Sequence, residues 1–317
     1  MSSKLPLVII GFGSQAQAWA HNFKIAKRAF VIALRRESSS IKAAQAAGYE
    51  TIQIGPELNS YNDFALLLPD HLQSEVLLTM APHLREGSRI IYAHGWALTR
   101  NKLIEQHPHF SHLLFAPKAI ASAIKLAATG MNSFRVVIGL EFSKSFEYDH
   151  EWLEDLARDL FAQLPLIQSS AKEEMTADLF SEQSLLCSLL PYGALHSFNF
   201  LVNKGISPEV AYIECWSEVK LIADAMIAKG PVGLFELISP NALVGGEKAQ
   251  AQIFNQNYSN YLSKLYDDIE SGHFFQEIDD LDIDKVRQDV LSRWRKEAIN
   301  AMHNKISKDH SDEKANN

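Results

Sequence analysis

Short apolar runs punctuate the first half of the chain, at residues 7–13, 29–35, 49–55, 63–69, 88–95, 112–117 and 135–140. They are rich in Val, Ile, Leu and Phe, and several are apolar at successive positions. That is the signature of strands covered on both faces in a parallel sheet. The pieces between them, such as SIKAAQAAG and QSEVLLTMAPHLREG, carry helical periodicity and end at glycine. Alternating strands and helices predict a doubly wound α/β domain. A last strand, PLIQSS at 165–170, precedes a change of texture. Beyond it the pattern predicts long helices over 172–203, 208–229 and about 248–272. The expected organisation is an α/β domain over 1–170, an all-α domain over 171–303, and a frayed polar tail over 304–317.

The length of 317 residues fits two domains. With 47% hydrophobic and 21% charged residues, the composition is that of a folded globular protein. A net charge of −8 argues against binding a nucleic-acid backbone, which needs a basic face. Cys187 and Cys215 form neither a disulfide framework nor a metal-binding spacing, and they fit a reducing, cytoplasmic setting. The opening MSSKLPLVIIGFG has one lysine before its apolar run and reads as a first strand rather than a signal peptide. The most apolar stretch, 185–202, is interrupted by Pro191, His196 and Asn199, so no membrane span is expected.

Two features carry chemistry. The first is Gly11-Phe12-Gly13-Ser14-Gln15-Ala16, placed where the first strand should turn into a helix. In this G-x-G-x-x-A arrangement Gly11 permits the tight turn and Gly13 lets the backbone approach a pyrophosphate. Ala16 keeps helix and strand close. Free N–H groups and the helix dipole then favour an anion. The second strand ends in Arg35-Arg36-Glu37-Ser38-Ser39-Ser40. A site selecting NAD usually places an acid here. Guanidinium forks and hydroxyls suit a 2′-phosphate instead, so NADP is the expected dinucleotide. The bland alternative is a solvated turn in which Ser38 caps the next helix.

The second feature is a pair of acid pairs. Asp178 and Glu182 are four residues apart, as are Glu214 and Glu218, so each pair shares a helix face about 5–6 Å apart. Leu185 and Leu189 continue the first face. Ala211, Leu221, Ile222 and Ala225 surround the second. Both stripes therefore look buried. Buried carboxylates need cations or shared protons, and four of them from two helices would supply hard oxygen ligands for two Mg²⁺ ions. The alternative for any one pair is a solvated helix charge.

Together, GFGSQ (11–15), LLLPD (66–70), AHGW (93–96), APK (116–118), ADLFSEQ (177–183) and AYIECWSEVKLI (211–222) resemble the ketol-acid reductoisomerase family in its short form, from about Leu7 to Gly272. The resemblance implies a Rossmann-like domain followed by a knotted helical domain that pairs with its twin. It implies an enzyme that uses NADPH and two Mg²⁺ ions. Such an enzyme isomerises 2-acetolactate or 2-aceto-2-hydroxybutyrate by alkyl migration and reduces the product to a 2,3-dihydroxy acid, in branched-chain amino-acid synthesis. On the matching motifs Asp178 would bridge both ions, Glu182 would bind one, and Glu214 and Glu218 would serve the second. His94 and Lys118 match active-site positions, and Ser239 matches a serine that contacts substrate. Gly11, Phe12, Gly13, Ser14, Gln15, Arg35, Ser38, Ser40, Leu68, Pro69, Asp70 and His94 fall on the cofactor side. Glu214, Glu218 and Ser239 would come from the second subunit, making a homodimer the smallest working unit.

The chain departs from the family in two places. After Lys118 a Pro-Gly pair is usual, whereas this chain has Ala119-Ile120-Ala121, whose side chains restrict the backbone, and an Ile120 side chain there would crowd the nicotinamide. After Ser239 a serine and an acid are replaced, leaving Pro240-Asn241-Ala242-Leu243-Val244, a more apolar wall. Two alternatives therefore stay open at this point. One is a relative that reduces another 2-oxo acid. The other is a non-catalytic dinucleotide-binding protein that keeps the fold.

Overall fold

The computed structural model describes residues 6–315, with side-chain environments through residue 307. The first five residues of the opening segment and the last two of the tail lie outside that range. The chain divides into two compact units, the first ending at Ala177 and the second beginning at Asp178.

The first unit is built on eight strands: β1 (Leu7–Ile10), β2 (Phe30–Leu34), β3 (Thr51–Gln53), β4 (Asp63–Leu66), β5 (Arg89–Tyr92), β6 (Ser111–Pro117), β7 (Val136–Phe142) and β8 (Ile167–Gln168). Each apolar run read from the sequence overlaps one of them. The sheet order is β3-β2-β1-β4-β5-β6-β7-β8. Strands β1 to β6 are mutually parallel, β7 runs antiparallel to β6, and β8 pairs parallel with β7. The sheet is parallel as expected except at the β6–β7 pair. The connection from β6 to β7 brings the chain back alongside β6 in the opposite sense, a pairing that apolar runs do not encode.

Helices α1 (Ser14–Ala26), α2 (Ser40–Ala46), α3 (Asp70–Met80), α4 (Trp96–Arg100), α5 (Leu103–Gln106), α6 (Ala121–Ala127) and α7 (Phe146–Asp159) connect the strands. Alternation along β1 divides the core. Leu7 and Ile9 pack with Trp19, Phe23 and Phe115 on the α1–α6–α7 face, while Val8 and Ile10 pack with Phe64, Leu77 and Tyr92 on the α3–α4–α5 face. Asn22 of α1 is fully buried and donates to the Ile124 and Leu160 carbonyls at 2.8 and 3.0 Å. These bonds fix the helix that begins at the glycine turn.

Helix α8 (Ala171–Ser181) carries the chain from the first unit into the second, followed by α9 (Leu189–Asn203), α10 (Pro208–Tyr212), α11 (Val219–Leu237) and α12 (Pro240–Ile253). Then come α13 (Gln256–Glu270), α14 (His273–Asp279), α15 (Ile283–Lys296) and α16 (Ala298–Ala315). Three sequence expectations change here. The helices read over 172–203 and 208–229 are each interrupted by a π turn, at Glu182–Leu186 and Ile213–Ser217. The helix read over 248–272 is two, divided where the Asn255 side chain caps α13. Residues 304–315 continue α16 rather than fraying. The end read at 229 does coincide with a break, since Gly230 has φ 69° and Pro231 follows it inside α11.

Candidate active site

Gly11 follows β1 with φ 101°, and a Cβ there would stand 2.7 Å from the Leu67 carbonyl oxygen, so the turn requires glycine. Gly13 faces open space and caps α1 without any side chain competing for the helix N–H groups. That leaves an open helix N-terminus suited to an anion. Ala16 is fully buried against the sheet, as the motif requires. Beside this turn lies a cleft of about 280 Å³ lined by Gly11, Phe12, Gly13, Arg35, Ser38, Ser40, Leu68 and Pro69, among others. Eight of the residues assigned to the cofactor therefore converge. Ser14, Gln15, Asp70 and His94 lie outside its lining. Arg35 is exposed at the rim. Ser38 lines the cleft while its Oγ also accepts the Ser40 N–H at 3.3 Å, so the helix-start role is present alongside the pocket role.

A polar cluster occupies the carboxyl ends of the neighbouring strands, where open α/β sheets bind ligands. Asp70 follows β4, His94 follows β5 and Lys118 follows β6. His94 Nδ1 lies 3.4 Å from Asp70 Oδ2, and Gln73 Nε2 holds the other oxygen, Oδ1, at 2.9 Å. The Lys118 ammonium donates to Glu174 Oε1 at 2.5 Å. The Gly95 N–H donates to Glu174 Oε2 at 2.7 Å, and His94 Nε2 stands 4.0 Å from that same oxygen.

Glu174 is thus the hub of the cluster, with a side chain 1% exposed, and sequence reasoning missed it. A signal existed: Glu174, Asp178 and Glu182 repeat at a spacing of four. The close approach depends on Gly95, because a Cβ there would stand 2.0 Å from the Ala171 carbonyl oxygen. Helix α8 is seated at its first residue by Glu141 Oε1, which accepts the Ala171 N–H at 2.7 Å.

The acid pairs differ from expectation. Asp178 is half-buried, whereas Glu182, Glu214 and Glu218 are exposed. The flanking stripes are also open: Leu185 is 48% exposed, Leu221 64% and Ile222 46%. Only Ala211 is fully buried. The expected burial fails within one chain because, among the described residues, the second unit leaves those faces about half open or more. Among the described residues, no three of the four carboxylates have oxygens gathered within 4.8 Å. Burial pushes the Cys187 and Cys215 thiols up, and so do the neighbouring acids, Glu182 and Asp178 for the first and Glu214 for the second. Neither thiol is therefore a ready nucleophile or ligand.

Ser239 is exposed and its Oγ accepts the Ala242 N–H at 3.3 Å, capping α12. Ile120, two residues after Lys118, immediately precedes α6 as its N-cap and is 74% exposed. One helical run, 171–203, is long and apolar enough to cross a membrane by length and composition, with 11% of its apolar window buried. The π turn at Glu182 lies within that run.

Comparison with known proteins gives this arrangement a context. Residues 2–146 match the family model described as acetohydroxy acid isomeroreductase, NADPH-binding domain. Residues 171–312 match that of the ketol-acid reductoisomerase C-terminal domain, which contains the apolar helical run. A ketol-acid reductoisomerase (NADP(+)) from Helicobacter acinonychis is 31% identical over 272 residues, covering 85% of this chain and 82% of that protein. One from Sulfurisphaera tokodaii is 30% identical over 276 residues, covering 86% and 82%. Among solved structures, an NADH-preferring ketol-acid reductoisomerase from an uncultured archean superposes with a TM-score of 0.83. It is 22% identical, and the match covers 96% of this chain and 94% of that one. A pyrroline carboxylate reductase from Plasmodium falciparum with NADP bound aligns less closely, at TM-score 0.56 and 16% identity over 83% and 97%. With both domain models matched in order and such identity over most of each relative, the chain belongs to the ketol-acid reductoisomerase family.

Proposed function

We propose that this chain is an NADPH-dependent ketol-acid reductoisomerase, acting on 2-acetolactate or 2-aceto-2-hydroxybutyrate and forming the 2,3-dihydroxy acid in branched-chain amino-acid synthesis. The observation that carries the reading is the joint presence of two features at the carboxyl ends of adjacent strands. One is a dinucleotide cleft edged by Arg35, Ser38 and Ser40. The other is the Lys118–Glu174–His94 cluster.

The residues suit each step. Gly11 to Gln15 and the open start of α1 take the pyrophosphate, and Arg35, Ser38 and Ser40 take the 2′-phosphate. Asp178, Glu182, Glu214 and Glu218 offer only carboxylate oxygens, the donor set that Mg²⁺ prefers. When bound, NADPH supplies hydride and two Mg²⁺ ions supply Lewis-acid stabilisation of adjacent oxygens. In the migration the C2 hydroxyl proton leaves. The alkyl group moves with its bonding pair from C2 to C3, and the C3 oxygen gains a proton. In the reduction the C2 carbonyl gains hydride on carbon and a proton on oxygen. Lys118 and Glu174, joined at 2.5 Å, are placed to hold and pass those protons. His94, held by Asp70, orients a substrate oxygen, and the exposed Ser239 hydroxyl remains able to donate to substrate while accepting its cap.

The second unit acts as half of a homodimer. Leu185, Leu186, Ile213, Leu221, Met226 and Ile227 are each 48–88% exposed, and large apolar side chains left open in this number point to a covering partner. A second copy that covers these faces would bring Glu214, Glu218 and Ser239 to the site of its twin.

The test supplies purified protein with NADPH and Mg²⁺ and offers 2-acetolactate and a simple 2-oxo acid in parallel. Turnover of 2-acetolactate to the dihydroxy acid is expected. Turnover of the 2-oxo acid alone would reject the migration step. No turnover of either would leave only dinucleotide binding.

A further inference from the structure

Glu214 and Glu218 are four residues apart, yet no regular α-helix joins them. Between them the chain makes a π turn, and the Glu218 N–H reaches back five residues to the Ile213 carbonyl at 3.0 Å. Such a turn carries one residue more than an α turn and shifts the following helix face by about 100°. π turns are rare, and this one has an external hold that comes from the last two helices of the chain.

Tyr212, immediately before the turn, is 6% exposed, and its hydroxyl lies 2.8 Å from His303 Nδ1 on α16. Trp216, inside the turn, packs on Trp294 of α15 with ring centroids 6.0 Å apart. Trp294 in turn meets Tyr192 of α9 edge-on at 5.3 Å, and the Tyr192 hydroxyl accepts from Arg293 at 2.9 Å. At the start of α10, Lys305 of α16 donates to Glu209 at 2.6 Å. Tyr212 and Trp216 share the face turned toward these helices. Glu214, two residues from each, falls on the opposite, exposed side.

We infer that α15 and α16 form a clasp that holds the acid-bearing π turn in register, with Tyr212, Trp216, Trp294 and His303 as positioning residues for the Glu214–Glu218 pair. The inference rests on the reading of those two carboxylates as cation ligands. Without the clasp the turn relaxes toward α-helix, and Glu218 swings around the axis relative to Glu214. Partners that orient ligands from behind commonly contribute 10- to 100-fold to metal affinity.

The experiment measures Mg²⁺ binding to the full-length protein by calorimetry, with NADPH binding and thermal midpoint as controls. Tyr212→Phe removes only the hydroxyl that meets His303. Trp294→Ala opens the aromatic contact, and Trp294→Phe restores a ring. The clasp predicts that Y212F and W294A weaken Mg²⁺ by about tenfold or more while NADPH affinity stays at the parental value, and that W294F recovers most of the loss. If W294A does not fold, Y212F decides. Parental Mg²⁺ affinity in both, alongside a loss in Glu214→Gln, overturns the clasp and leaves the cation reading standing. Parental affinity in E214Q overturns the cation reading, and the clasp with it.

Discussion

Glu174 is held from two sides. Its two oxygens are committed to the Lys118 ammonium and the Gly95 N–H, and its side chain is 1% exposed. Replacing it with glutamine keeps the volume and an acceptor but removes the charge opposite Lys118. The expected outcome for Glu174→Gln is a fall in kcat of about 100-fold or more with NADPH affinity unchanged. A near-parental kcat would assign the pair a purely structural part. His112 on β6 presents a different single-residue effect. Its Nε2 lies 3.0 Å from the His107 carbonyl, which can only accept, so Nε2 carries the proton and Nδ1 accepts from the Tyr92 hydroxyl at 3.0 Å. Burial holds its pKa down to about 4, against the pull of the His107 carbonyl and with the help of charge on His107 and His109. The folded value lies below the ordinary 6.5, so the unfolded chain binds the proton first. Stability is therefore full above about pH 6.5 and is lost as pH falls from there toward 4, by up to about 3 kcal/mol. Urea unfolding at pH 7 and pH 4.5 should show this loss in the parent and a shallower one in His112→Gln. Equal slopes would contradict the assignment.

At the scale of elements, the proposed function puts the choice of dinucleotide in the turn after β2. Arg35 sits at the rim of a cleft that Ser38 and Ser40 also line, and no acid lines it. Arg35→Ala should weaken NADPH by roughly tenfold, the worth of a charge-assisted hydrogen bond, and leave NADH almost untouched. Equal weakening of both would move the selectivity elsewhere. The strands themselves were legible because a two-sided buried strand must be apolar at successive positions, and every predicted run overlaps one. The π turns were not legible. An acid spacing of four is compatible with α-helix and with an inserted residue alike, and packing by helices far along the chain selects between them. The reversed strands β7 and β8 escaped for a similar reason, since strand direction is set by how a connection returns.

For the molecule as a whole, the contrast between the two units is the main finding. The first buries both faces of its sheet. The second has a small core around Leu195, Phe198, Ala211, Tyr212 and Ile299 and leaves many large apolar side chains exposed. The homodimer reading predicts a particle of twice the 35.5 kDa chain mass by light scattering at micromolar concentration. Leu221→Glu, with its side chain 64% exposed in the single chain, should shift it toward monomer and abolish reductoisomerase turnover without loss of NADPH binding. A monomeric parent with full activity would sink that reading. The amino-acid sequence alone determined the alternating α/β half, the glycine turn at its first strand and the family, because strand burial and backbone approach to phosphate each demand particular residues at fixed local spacings. Tertiary structure alone decided that Glu174 links Lys118 to Gly95, that Glu182 and Glu214 fall within π turns, and that the stripes beside the acid pairs stay open within one chain. Those outcomes depend on contacts between residues distant in sequence, and in the last case on what a single chain lacks to cover them.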